Sequence, residues 1–343
     1  MKSNTFKSLL LMAGLLIAVG IVLIIRLLFG MHISPNGQEI ILYIPEGASY
    51  SQAMDSIRTN VPLRHPKSFD WIARQKNYPA NVKPGRYIIG HKMSYVEIIN
   101  MFRSGNQAPV NVTFNNIRTL YDLADKIGGQ ISADSASIID FLLNSDNYLK
   151  DGFTKETVIA VFIPDTYQFF WNTGPDALYS RMLREYRRFW NDERRAKAKE
   201  INLNPPEVST LASIVDEEAA RSDEKPMIAG VYINRLRRGI PLQADPTIKF
   251  VLDDFTITRV LRRHLQIDSP YNTYKNNGLP PGPIGCPTIE SIDAVLNAEK
   301  HDYLYFVAKA DFSGYHHFSR TLSEHNRYAY IYQKELNKRR IFR

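Results

Sequence analysis

The chain has a single cysteine in 343 residues, Cys286 in Gly285-Cys286-Pro287. A lone thiol makes no intramolecular disulfide, so a small disulfide-stapled domain is excluded, while the redox compartment stays open. The sequence also lacks a zinc-finger spacing, a Gly-rich phosphate loop and any arginine–aromatic repeat, which leaves nucleic acid without support as a partner. His316, Glu324 and His325 fit no ligand spacing and no His-Glu-x-x-His occurs, so no metal is expected. Acidic residues are fewer than basic ones, 35 against 43, a net charge of +8. That excess suits anionic lipid headgroups or an acidic polymer and carries no information about fold.

What is present begins with composition: 44% hydrophobic and 23% charged residues describe a globular chain, long enough for two or three domains. From Ser8 to Ile25 no charge occurs; Arg26 interrupts and Leu27-Leu28-Phe29 continues. Such a run can cross a bilayer core of about 30 Å with Arg26 reaching the far interface. Lys2 and Lys7 precede it, so residues 1–7 are expected in the cytoplasm and the rest outside. The run is longer than the apolar core of a cleaved signal peptide, and no small-x-small site follows promptly. A retained anchor at 8–29 is therefore expected, then a linker at 30–38.

Residues 39–115 read as strand, two helices, strand, helix, strand. The strands fall at Glu39–Pro45, near Tyr87 and at Val110–Phe114; the helices at Tyr50–Arg58, Pro66–Gln75 and Tyr95–Arg103, the last capped by Ser94. With no titratable cluster, this unit reads as a binding or positioning module. Residues 116–200 are mainly helical: Thr119–Ile127, Ser135–Leu143 and one basic helix from Arg181 to Lys199, whose charges suit a solvated face or an anionic surface.

Asn204-Pro205-Pro206-Glu207 is a helix start, with an N-cap, Pro at the first helical position and Glu at the third. The helix is expected to run to about Arg221, followed by a second, Met227–Arg238, stopped by Gly239. Together they make a hairpin, and Pro241–Thr247 is a fixed turn leaving it. Ser269–Tyr274 and the Pro-rich Gly278–Ile284 form a rigid loop, whose Tyr and Asn side chains suit sugar rings and hydroxyls. Tyr303–Ala308 reads as a buried strand, His316–Ser319 as another, and Ser323–Lys338 as the closing helix. The class is α+β.

One acid in the first helix of the hairpin stands out. Leu211, Ile214 and Val215 share a helical face, and Glu218 falls within that stripe, while Asp216 and Glu217 swing toward water. An acid on a buried face must be paired or keep its proton. A carboxyl protonated near neutral pH is a general acid; an ordinary ion pair with an arginine such as Arg235 is the alternative.

Phe162-x-Pro-Asp-Thr-Tyr167, Leu211-Ala-Ser-Ile-Val-x-x-Glu218, Val231-Tyr-Ile-Asn-Arg-Leu236 and Leu242-Gln-x-Asp-Pro-Thr247 occur in that order. Tyr271-Asn-Thr-Tyr274, Gly278-Leu-Pro-Pro-Gly-Pro-Ile284, Tyr303-Leu-Tyr-Phe-Val307 and His316-x-Phe-Ser-x-Thr-x-x-Glu-His-Asn326 follow. In this register the chain resembles the endolytic murein transglycosylases, the MltG/YceG-like family. It departs from relatives where their Glu-Lys-Glu-Thr is Asp216-Glu-Glu-Ala219 and their Gln-Thr-Asp or Gln-Ser-Asp is Gln243-Ala244-Asp245.

The resemblance implies a LysM-like module at 39–115, a catalytic domain at 116–343 containing a catalytic helix hairpin, and an inner-membrane enzyme with its catalytic domain outside. Such an enzyme cuts nascent peptidoglycan strands internally, leaves 1,6-anhydro-N-acetylmuramic acid ends and needs no cofactor. Its partners would be glycan strands, membrane lipid around 8–29 and peptidoglycan synthases. The catalytic glutamate falls on Glu218. Gln243, Asp245, Asn272 and Tyr274 are candidates for orienting sugar or stabilising charge, or for plain turn and packing roles. Asn234 and Arg235 are candidates for supporting Glu218 or for tying two helices together. Two other readings stand beside this one: a muramidase-type hydrolase using Glu218 with Asp216 or Asp245, and a glycan-binding scaffold without catalysis.

Overall fold

The computed structural model describes residues 2–29, 38–257 and 259–339. The first half runs α1 (Lys2–Phe29), β1 (Ile40–Ile44), α2 (Tyr50–Asn60), α3 (Pro66–Gln75), β2 (Gly85–Ile89), α4 (Tyr95–Ser104), β3 (Val110–Phe114), α5 (Leu120–Gly128), α6 (Ser135–Leu143) and β4 (Asp165–Phe169). The second half runs α7 (Pro175–Phe189), α8 (Asp192–Glu200), α9 (Pro205–Glu218), α10 (Lys225–Arg237), α11 (Asp245–Leu252), α12 (Ile289–Leu296), β5 (Tyr305–Ala308), β6 (His316–Ser319) and α13 (Leu322–Lys338). Helices with short two-stranded sheets make this an α+β chain.

Side chains of α1 are described only at 11–23, 25 and 26, so the expected anchor at 8–29 and the linker at 30–38 lie in part outside the described residues. Within the described part, Leu11, Leu15, Leu16 and Leu23 are exposed. Among the described residues no helix is long and apolar enough to cross a membrane.

The chain divides into two units. The first takes the described residues of Met1–Val112 with Gln130–Ser132 and Gln168–Thr173. Its β1 and β2 pair antiparallel, from Ile40 opposite Ile89 to Ile44 opposite Gly85. The strand period of two sends Leu42 and Ile44 inward and leaves Ile41 and Tyr43 exposed. Capping boxes at Ser49–Gln52 and Ser94–Glu97 start α2 and α4, and Pro66 starts α3. Their inner faces bury Ile57, Phe69, Ile98 and Phe102 against Leu42 and Tyr87. Each such burial contributes about 2 kcal/mol against chain entropy.

The second unit takes the described residues of Thr113–Gly129, Ala133–Tyr167 and Gly174–Arg343. Its centre is α9, where Val208 to Val215 are buried without a break. A helix covered on every side has neighbours all round, here α8, α10, α11 and α12. Gly230 on α10 has no room for a side chain: a Cβ would lie 2.5 Å from the Glu299 carbonyl oxygen. Its absence lets the chain before β5 close onto α10.

The structure departs from the sequence reading at four places. The basic stretch 181–199 is two helices, because Trp190 is buried at the end of α7 and Asn191 caps α8 by accepting from the Arg194 N–H. The segment 241–247 does not stay a turn: Asp245-Pro246 opens α11, since acid and proline are also first-turn helix residues. The strand read as buried, β5, is half-buried at every position. Asp216 does not face water, for the reason given below.

Candidate active site

Asn204 starts α9 through a reciprocal capping box with Glu207, and the helix ends at Glu218. Ser222 and Pro226 restart the chain as α10, which carries Tyr232 back to that end. The Tyr232 hydroxyl donates to Glu218 Oε1 at 3.0 Å. The Asp245 N–H at the start of α11 also points at the Glu218 carboxyl, and Lys249, one turn further on, lies within electrostatic reach.

Glu218 keeps part of its surface open while protein crowds the rest. Burial, and after it the nearby Asp245 charge, raise its pKa from the usual glutamate range, Tyr232 and Lys249 act against both, and the net value is about 7. Glu218 can therefore hold a proton near neutral pH. The arginine ion pair that was the alternative is not formed: Arg235 donates instead to the carbonyls of Pro241 and Leu304 and to Gln243 Oε1 at 2.6 Å.

Asp245 accepts a 2.5 Å hydrogen bond from the Tyr274 hydroxyl. Its burial raises its pKa, an effect that Tyr274 and Lys249 partly offset. The Tyr274 hydroxyl is raised by burial and then by Asp245, so it stays a donor. The two segments are stitched together by Thr273, whose carbonyl accepts from the Gln243 N–H and whose hydroxyl accepts from the Ala244 N–H and meets Thr247 Oγ1 at 2.9 Å. Gln243 itself is exposed and holds φ of 52°, a left-handed backbone that a non-glycine residue adopts only when its neighbours impose it. Thr273 holds the backbone there by accepting from the Gln243 and Ala244 N–H groups, and Arg235 holds the side chain.

Glu218, Asp245 and Tyr274 thus converge, with Gln243 beside them. Asn272 does not reach the group: it is fully buried, its amide donates to the carbonyls of Leu265 and Ile267, and its Oδ1 accepts from the Tyr274 N–H. It shapes the loop that presents Tyr274. Asn234 donates to the carbonyls of His301 and Tyr303, away from Glu218. Tyr232 and Lys249 were missed from sequence; Tyr232 sat within the quoted Val231–Leu236 segment but nothing local indicated which way it pointed.

Asp216, expected toward water, accepts from Lys225 Nζ at 3.0 Å, the Thr288 N–H at 3.0 Å, Thr288 Oγ1 at 3.1 Å and Ser291 Oγ at 2.6 Å. The start of α12 lies over it, so the outward side of α9 is covered. Burial alone would raise its pKa, but these donors prevail and hold it below the aspartate range. Glu217 is the exposed neighbour, 3.5 Å from Arg118 Nη2. The His316 Nδ1 lies 2.8 Å from Glu224 Oε2. Among the described residues no group of three His, Cys, Asp or Glu is arranged to hold a metal ion.

A cavity of about 780 Å³ opens at the other end of α9, lined by Asn204, Pro206, Glu207, Leu236, Arg237 and Pro280, and does not reach Glu218. Its rim loop runs close to its support: a Cβ on Gly282 would lie 2.1 Å from the Glu156 carbonyl oxygen.

A protein of Bacillus subtilis (strain 168) named endolytic murein transglycosylase is 30% identical over 302 residues, 83% of this chain and 82% of that one. One of Streptococcus pneumoniae serotype 2, with the same name, is 28% identical over 83% of this chain and 56% of its own length. A crystal structure of a YceG-like protein from Listeria monocytogenes superposes with a TM-score of 0.55 at 28% identity, covering 84% of this chain and 98% of that one. The family profile matches residues 42–330, which include the Glu218 end of α9, the α11 turn and the Tyr274 loop, and the chain therefore belongs to the YceG-like family.

Proposed function

We propose that the protein is an endolytic peptidoglycan lytic transglycosylase in which Glu218 is the catalytic acid and base. The observation that carries this reading is the Glu218 carboxyl at the end of α9, partly open to solvent, held by Tyr232 and raised by burial to a pKa of about 7. The names of the relatives support the substrate. Hydrolysis of a glycoside generally needs two carboxyls, whereas this chemistry needs one.

Glu218 protonates the oxygen between N-acetylmuramic acid and N-acetylglucosamine. As that bond breaks, the C6 hydroxyl of the same N-acetylmuramic acid closes on C1, and the Glu218 carboxylate takes its proton. The product end is 1,6-anhydro-N-acetylmuramic acid, and Glu218 is returned to its starting state. Because the nucleophile belongs to the substrate, its effective concentration is already high. Asp245, kept in place by Tyr274, stabilises the positive charge that develops at C1.

In the same proposal α1 anchors the protein in the cell membrane with its N-terminus in the cytoplasm. The uncharged Ser8–Ile25 run and the exposed leucines of its described part support this. The first unit serves as a LysM-like glycan-holding module, and strand cleavage beside peptidoglycan synthases ends chain elongation. Asp245 is also the feature a hydrolase would use, and product ends separate the two chemistries. Purified glycan strands digested by the protein and by Glu218→Gln, read by mass spectrometry, test the assignment. Anhydro ends dependent on Glu218 support it. Reducing ends replace it with hydrolysis, cleavage that survives Glu218→Gln removes Glu218 from the chemistry, and absence of cleavage by the unmodified protein leaves the scaffold reading.

A further inference from the structure

The sheet beside Glu218 has a face that the chemistry above does not use. In the β5–β6 ribbon Phe306 lies directly opposite Phe318, and Ala308 opposite His316. Directly paired residues and those two positions along share one face of a sheet. Phe306, Phe318 and His316 therefore line the same side. Their rings form a continuous patch: Phe306 to Phe318 is 6.2 Å between centroids at 40°, Phe306 to His316 is 5.4 Å edge-on, and Tyr303 adds a ring 5.9 Å from Phe318. All four are half-buried rather than exposed, with 11% of the His316 side chain open. The strand was expected to be buried, and apolar rings left partly open at every position ask for an explanation.

The patch is continuous with the catalytic carboxyl. The Tyr232 ring meets Phe306 edge to face, 5.7 Å between centroids at 89°, and the same Tyr232 hydroxyl holds Glu218. One ring thus links the acid to the platform.

We infer that Phe306 and Phe318 form a saccharide platform, on which a pyranose ring of the glycan strand stacks next to the bond that Glu218 cleaves. β-1,4-linked N-acetylhexosamines carry their substituents equatorially, so each ring presents a flat face of C–H groups. Such a face gains from contact with the electron-rich face of an aromatic ring, while the sugar's hydroxyls and acetamido group stay free for polar partners at the rim. The two rings are inclined at 40° to one another, so they offer successive sugars two differently angled faces. The platform sets affinity and register; Glu218 does the proton transfer. This inference rests on the proposed function for the identity of the ligand.

The test measures binding apart from catalysis. In the full-length protein carrying Glu218→Gln, binding of an N-acetylglucosamine hexasaccharide is measured by calorimetry, alone and combined with Phe318→Leu, Phe306→Leu or Phe306→Tyr. Leucine keeps apolar volume against Tyr232 but removes the flat ring, and tyrosine restores it. The expected result is a dissociation constant about tenfold weaker for each leucine variant and near-unchanged for tyrosine, with unaltered melting temperatures. In the active protein the leucine variants should raise KM and leave kcat within a few-fold. Unchanged affinity in the leucine variants overturns the platform while leaving the catalytic reading intact. Equal loss in the leucine and tyrosine variants, or loss that tracks a fall in melting temperature, overturns it as well, by assigning the rings to packing. Absence of strand cleavage by the unmodified protein, with hexasaccharide binding retained and ring-dependent, counts against the catalytic reading and leaves the platform standing.

Discussion

Tyr232 and Glu218 sit fourteen residues apart on consecutive helices and meet through one 3.0 Å hydrogen bond, from the phenol to Oε1. Because that bond favours the charged carboxylate, it lowers the Glu218 pKa against the burial that raises it. Tyr232→Phe removes it without removing the ring. The alkaline fall of kcat/KM should then move to higher pH, with the ring contact to Phe306 intact. A limb that stays in place, or moves to lower pH, counts against the bond as drawn.

For the unmodified protein the descending limb belongs to Glu218. Its pKa is near 7, the acid must be protonated to act, and so kcat/KM falls tenfold per pH unit above that value. Burial is the larger cause and Asp245 the second, so Asp245→Asn should shift the limb to lower pH without abolishing it. A profile flat from pH 5 to 9 would show that no such proton matters.

The same shift has a consequence for stability. A carboxyl whose pKa is raised on folding from about 4.5 to about 7 favours the folded state fully below the lower value, and that contribution is lost as pH rises through the upper one. Glutamine carries no charge to bury. Glu218→Gln should therefore be more stable than the unmodified protein at pH 8, by on the order of 2 kcal/mol, and equal to it near pH 4. Denaturant melts at the two pH values check this, and a variant less stable at pH 8 would place Glu218 in a favourable ionised pair.

Much of the fold was legible because its signals are local. Asn204-Pro205 and Ser94 cap helices within three residues of themselves, and the strand at Glu39–Pro45 is read from its own residues. Glu218 was legible because its helical neighbours are apolar. What escaped depends on chain distant in sequence. The fate of Asp216 was set by α12, more than seventy residues later, which brings Thr288 and Ser291 over a side chain whose helical angle alone pointed to water. Asn234 and Arg235 were placed near Glu218 by adjacency, yet a 100° step per residue sends them to the carbonyls of 301–304 and to the Gln243 turn. Asp245-Pro246 is ambiguous in principle, since a turn and a helix start use the same two residues.

Asp216 provides a test against the two-carboxyl reading. It is held by Lys225, Thr288 and Ser291, and Lys225 is itself buried between Asp216 and Glu290. Asp216→Asn should cost about 2 kcal/mol of stability and leave activity per folded molecule within a few-fold. A stable variant without activity would give Asp216 a catalytic part instead.

The most direct measurement is the chemistry of the cut ends. Glycan strands incubated with the full-length protein and with Glu218→Gln are compared by mass spectrometry over equal times. The expected result is 1,6-anhydro-N-acetylmuramic acid at the new ends, formed at least about 100-fold more slowly by the variant. Reducing ends in their place, or anhydro ends produced equally by both proteins, would contradict Glu218 as the one group that gives a proton and takes one back.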